Sequence, residues 1–129
     1  MKKITKIFIF TFLLLSMYGL SDNEAKAIYL NVSPSNQTIN GYTGTATWNL
    51  GWGGGQSYYN VYFRQHNDEK KYNWQLILDK TSKTSYTHSK SYDLPAGKSY
   101  VYWYPSFSVQ DYWGAYVRKD VQVFQRLYL

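Results

Sequence analysis

Side chains able to hold a metal or pass a proton near neutral pH are few in this sequence: two histidines, His66 and His88, eight acids, and no cysteine. Both histidines stand in polar stretches without the His, Asp or Glu spacing of a metal site, so each is read as structural or exposed. The acids Asp68, Glu69, Asp79, Asp93, Asp111 and Asp120 fall in turns or beside lysines, where carboxylates usually serve turn formation and solubility. Two of them converging in space as a glycosidase pair stays open at this level. There is no nucleophile-elbow sequence. The run Gly51-Trp52-Gly53-Gly54-Gly55 lacks the Lys-Ser/Thr that completes a phosphate-binding loop. The expectation is a chain with no catalytic residue, no cofactor and no metal.

Aromatic side chains are the other source of chemistry, at 20% of residues, with 15 tyrosines, six phenylalanines and five tryptophans. Each buries about 150 to 250 Å² when enclosed, so a dozen of them can offset much of the ordering entropy of a small domain. Rings outside the core phase can instead stack on sugars or rest at a membrane interface. On that basis the candidate ligand-binding residues are Trp52, beside a glycine-rich loop, Tyr58 and Tyr62, on the outer phase of their strand, and Trp103 and Trp113. Packing against neighbours is the competing role for each, because aromatic cross-strand pairs stabilise sheets by themselves.

The elements that must position these rings are strands. In Thr45–Gln65, Ala46, Trp48 and Leu50 share one face at period two, and Tyr59, Val61 and Phe63 share another, so the second run can meet Trp48 across a core. Upstream, 28–32 alternates as a first, edge strand, Pro34 to Gln37 marks a loop or strand edge, and Asn40-Gly41 is a turn dipeptide. Downstream, His66 to Lys71 reads as a solvated hairpin loop. Trp74, Leu76 and Leu78 form one apolar face, and Thr84 to His88 is a further strand. Ser99 to Tyr104 is bulky on both faces and is expected at the centre of a sheet. A last strand is placed over Ala115 to Phe124, with Val117, Val121 and Val123 in phase. No segment holds a helical period, and short strands separated by turn signals predict an all-β fold, a small antiparallel β-sandwich of immunoglobulin-like shape.

Met1 to Ala27 has the three-part layout of a secretory signal: Lys2, Lys3 and Lys6, an apolar run Ile7 to Leu20, and a polar stretch closing on Ala25-Lys26-Ala27. An uncleaved anchor is the alternative, but the run is shorter than the roughly 20 apolar residues that span a bilayer. Cleavage after Ala27 leaves residues 28–129, one small domain, secreted and extracellular. It also removes four lysines and two acids from totals of 14 and 8, lowering the balance from +6 to +4. Such a surface favours anionic targets such as wall polymers, lipid phosphates or nucleic acid. Its lysines are scattered, however, with no basic arm of the nucleic-acid-binding kind.

Two resemblances follow from these residues. Leu94-Pro95-Ala96-Gly97-Lys98-Ser99-Tyr100-Val101-Tyr102, with Trp48 and Tyr59 to Phe63 upstream, is similar to the tyrosine-corner approach of fibronectin type III and immunoglobulin-like domains, which implies shape more than activity. Thr47-Trp48, Gly51, Gly53, Tyr58 and Asn60 are spaced as in the lactococcin-972 type of secreted bacteriocin, although this chain carries the additional stretch Ile28 to Gly44 before that motif. The second resemblance implies a non-enzymatic protein that acts on the bacterial envelope by engaging a cell-wall precursor. The alternative expectation is an adhesion or carbohydrate-binding module of immunoglobulin-like shape with a glycan partner.

Overall fold

The computed structural model describes residues 27–55, 58–67 and 70–127. The expected signal peptide, up to Lys26, lies outside the described residues, as do Asp68 and Glu69. Alternating apolar residues form ten strands among the described residues: β1 (Tyr29–Ser33), β2 (Asn36–Asn40), β3 (Thr43–Gly53), β4 (Tyr59–Arg64), β5 (Gln75–Thr81), β6 (Ser85–Asp93), β7 (Tyr100–Trp103), β8 (Ser106–Asp111), β9 (Tyr116–Asp120) and β10 (Gln122–Arg126). They pair into a three-stranded sheet β1-β3-β6, a four-stranded sheet β9-β8-β4-β5 and a second three-stranded sheet β2-β10-β7. All pairings are antiparallel except β2 with β10, which is parallel. The fold is therefore an all-β sandwich with a third, mixed sheet.

The core forms where the first two sheets face each other, as the period-two pattern requires. Trp48 of β3 meets Phe63 of β4 at a ring-centroid distance of 5.9 Å and Phe107 of β8 at 5.3 Å, and all three are fully buried. Trp52 of the same β3 face meets Tyr59 edge to face at 6.3 Å. The two strands around the glycine run thus lie in different sheets and touch through their inner faces.

The last two strand pairs make one bent ribbon. The ladder between β8 and β9 ends at Ser106 opposite Asp120, Val121 N–H donates to the Pro105 carbonyl at 2.9 Å, and the ladder resumes with Trp103 opposite Val123. Sandwiches turn corners in this way, with a strand leaving one sheet for another at a bend. Proline fits the bend, because it gives the ladder no N–H there. The single strand expected over Ala115 to Phe124 is therefore two strands in different sheets, although Val117, Val121 and Val123 keep the predicted inward phase. The expectation of a central strand at Ser99 to Tyr104 is also corrected: β7 is at an edge, and Tyr100 is exposed.

Gln125 joins the third sheet to the rest. Its fully buried carboxamide accepts from Trp103 Nε1 at 3.0 Å and donates to the carbonyls of Gly41, Tyr42 and Tyr92 at 3.0 to 3.3 Å. Gly44 lets β2 close on β3, since a Cβ there would overlap the Ile39 side chain.

One local irregularity decides which face the next strand shows. Along β4 and β5 the register shifts around Val61, which stands opposite Leu78 while Tyr62 stands opposite Leu76. Lys80 adopts φ +49°, and its N–H donates to Asn60 Oδ1 at 2.7 Å, holding the bulge. The predicted common face of Trp74, Leu76 and Leu78 is thereby broken. Leu78 leans on the core, and Leu76 turns outward.

Candidate functional site

The outer face of the four-stranded sheet is built in three cross-strand rows. Arg64, Ser106 and Asp120 make the first, Tyr62, Ser108 and Arg118 the second, and Asn60, Gln110 and Tyr116 the third. Large side chains stand on the flanking strands while serines occupy the middle. Ser106 and Ser108 are buried, so the centre of the sheet is low and polar between taller walls. A cavity of about 420 Å³ results, lined by Tyr62, Trp74, Ser108, Gln110, Tyr116 and Arg118. A second cavity of about 280 Å³ continues from it through Gln110 toward Tyr58, Lys80 and Tyr112. Together they form a trough across the sheet.

Charge and ring geometry fix the walls. The Arg64 guanidinium carbon lies 4.4 Å from the centroid of the Trp74 ring, and that of Arg118 lies 5.9 Å away. Cation–π attraction at these distances holds the indole upright although it precedes β5. Arg118 Nε donates to Asp120 Oδ1 at 2.7 Å and Nη2 to Oδ2 at 3.2 Å, while Ser106 Oγ donates to Oδ1 at 2.8 Å. The hydrogen bond from Arg118, with that from Ser106, holds the Asp120 carboxyl below its ordinary pKa despite partial burial. Burial, reinforced by neighbouring Arg118, lowers the pKa of Arg64. The trough thus offers ring faces, amide and hydroxyl groups, and the remaining N–H groups of Arg118. That combination suits a ligand carrying both C–H faces and hydroxyl or amide groups.

The residues predicted to contact a ligand separate into two sets. Tyr62 lines the trough, Tyr58 lies in its extension, and Trp113 is 74% exposed at the tip of the β8–β9 hairpin. Trp52 and Trp103 do not present their rings at the surface. β3 runs on through Gly51 to Gly53 and keeps Trp52 on the core face at 1% exposure, and Trp103 is 5% exposed on Gln125. Trp74, Ser108, Gln110, Tyr116 and Arg118 line the cavity without standing among the candidates of the sequence. A signal for most of them existed in the alternation of Ser106, Ser108 and Gln110 with Phe107 and Val109, and of Tyr116 and Arg118 with Val117. Trp74 had none, because the bulge reverses its face.

The histidines line neither cavity. His88 is packed among Trp48, Phe63 and Phe107, and burial, with nearby Lys90 adding to it, lowers its pKa. His66 Nδ1 accepts the Tyr72 N–H at 3.0 Å, while its carbonyl accepts the Tyr104 N–H at 2.7 Å, so it ties the β4–β5 connection to the ribbon. Asp111 is buried at the end of β8 opposite Tyr59, where it lines the second cavity, Asp93 ends β6 opposite Thr43, and Asp79 is exposed on β5. Among the described residues no group of three or more His, Cys, Asp or Glu is placed to hold a metal ion, and no helix is long and apolar enough to cross a membrane. Comparison of the chain with protein-family models and with curated proteins finds no match.

Proposed function

We propose that this chain is a secreted, non-enzymatic binding protein that docks a glycan-bearing polymer or precursor of the bacterial cell envelope on the outer face of its four-stranded sheet. The observation that carries the reading is the serine-floored trough walled by Tyr62, Trp74 and Tyr116. Sugar rings lay their C–H faces on aromatic rings and offer hydroxyls to amide, hydroxyl and guanidinium groups, and the trough supplies both side by side. Its continuation through Gln110 suits an extended ligand over a compact one. The basic balance of the chain adds a salt-sensitive attraction to anionic envelope polymers. Growth inhibition of a related Gram-positive strain, as in bacteriocins of the lactococcin-972 type, is the biological outcome this reading proposes.

The test is binding of the protein to isolated Gram-positive cell walls, with Trp74→Ala as the comparison. Retention on walls, weakened by the substitution, supports the proposal. Equal retention of both proteins, or none, contradicts it. Tight binding to host glycans on an array, with no retention on walls and no effect on growth, favours an adhesion or carbohydrate-binding module, which the sandwich architecture also accommodates.

A further inference from the structure

Aromatic side chains crowd one end of the sandwich. Tyr29 stands opposite Gly53, Tyr58 precedes β4, and Tyr112 and Trp113 form the tip of the β8–β9 hairpin. Tyr59 pairs with both Thr81 and Asp111, so these openings lie at the same end, away from the ribbon's corner at Pro105. All four rings are more than half exposed. The tip is also rigid. Asp111 Oδ1 accepts the N–H groups of Trp113 and Ala115, both at 2.9 Å, and Asp111 N–H donates to the Ala115 carbonyl at 2.8 Å. Tyr112 and Trp113 stand edge to face at 6.0 Å.

Rings with an apolar body and a polar edge favour the headgroup layer of a bilayer. Lys80 and Lys83 flank Thr81, which pairs with Tyr59 at this end, and Lys80 lines a cavity with the buried Asp111. An independent observation indicates what the rings meet. The chain enters the described body at this end, where the Ala27 carbonyl lies so close to Gly54 that a Cβ there would collide with it. Six residues separate Ala27 from the apolar run Ile7 to Leu20. A fully extended connection of that length spans at most about 25 Å. A bilayer holding the apolar run therefore lies within that reach of the aromatic end.

We infer that this end of the sandwich is a bilayer-docking surface, where Tyr29, Tyr58, Tyr112 and Trp113 rest among phospholipid headgroups while the domain is still joined to its apolar run. The attraction comes from the rings, so it persists in salt and needs no anionic lipid. The surface shares Tyr58 and Tyr112 with the outer end of the trough, but Trp74 and Tyr116 take no part in it, so different residues test the two readings.

The test reads tryptophan emission of the full chain reconstituted in phosphatidylcholine vesicles with brominated acyl chains. Quenching of the intact chain, falling at least about threefold in Trp113→Phe and persisting in Trp74→Phe, is the expected result. Absence of quenching in the intact chain overturns the inference. So does equal quenching in Trp113→Phe, or loss of quenching in Trp74→Phe instead, which would put the trough and not the hairpin tip against lipid.

Discussion

His88 carries its ring into the aromatic core, 4.6 Å from Phe63 and stacked 6.3 Å from Trp48, where its Nε2 finds no hydrogen-bond partner. Charging that ring inside the sandwich is costly, so its pKa in the folded protein lies below the unfolded value of about 6.5. Between those two values the unfolded chain binds more protons. Stability is therefore full above about pH 6.5 and declines as pH falls toward the folded pKa. His66 shifts in the same direction, by burial and then by Arg64, and adds to the effect. Urea midpoints measured above and below this window should fall on acidification in the native protein and fall less in His88→Phe. Gln125 is the other residue on which much turns. Gln125→Leu strands the Trp103 N–H and takes one donor from the carbonyls of Gly41, Tyr42 and Tyr92, of which Tyr42 keeps the Leu94 N–H, and an unpaired buried group costs about 1 to 3 kcal/mol. A loss of about 1 to 3 kcal/mol in denaturant unfolding is expected, with the third sheet exchanging amide hydrogens first. Neither role was readable beforehand. A histidine between serine and threonine and a glutamine between phenylalanine and arginine look solvated until the pairing of their strands is known.

At the scale of elements, the outer face of β9-β8-β4-β5 depends on alternation. Because successive side chains point to opposite faces, the residues that seal the core also fix which residues floor the trough. Ser108→Phe should fill the trough from its floor and abolish ligand binding with little change in melting temperature, since the new ring points away from Trp48. Trp74→Ala removes a wall and its cation–π contacts, and binding should weaken about tenfold, which is about 1.4 kcal/mol. Calorimetric titration with solubilised wall fragments measures both. The meeting of Trp48 with the Tyr59–Phe63 strand was legible, because two runs of strict period-two alternation leave each strand one apolar face. Trp52 was not, since the glycine run suggests a turn while β3 in fact holds its phase to Gly53. The β4–β5 bulge was equally hidden. It rests on an Asn60 side chain taking the Lys80 N–H across 20 residues. Tyr62 is legible because β4 itself keeps an unbroken register with β8, the extra residues of the bulge lying on β5.

In the whole molecule, the bent ribbon from Tyr100 to Arg126 separates two regions. Its outer half builds the trough and the exposed aromatic tip, and its inner half locks onto β2 and, through Gln125, onto the β2–β3 turn and β6. The sandwich class followed from strand spacing and turn residues. The third sheet and its parallel β2–β10 pair did not, because local sequence does not encode which distant strands meet. Without disulfides the aromatic core carries the stability, and Trp48→Ala should cost about 3 to 5 kcal/mol in chemical denaturation. The central claim is that ligand docks on the four-stranded sheet. It is tested most directly by titrating isotope-labelled protein with soluble peptidoglycan fragments and following amide and side-chain shifts. The account predicts changes centred on Tyr62, Trp74, Ser108, Gln110, Tyr116 and Arg118. A spectrum that stays unchanged, or shifts confined to β1-β3-β6, would contradict it.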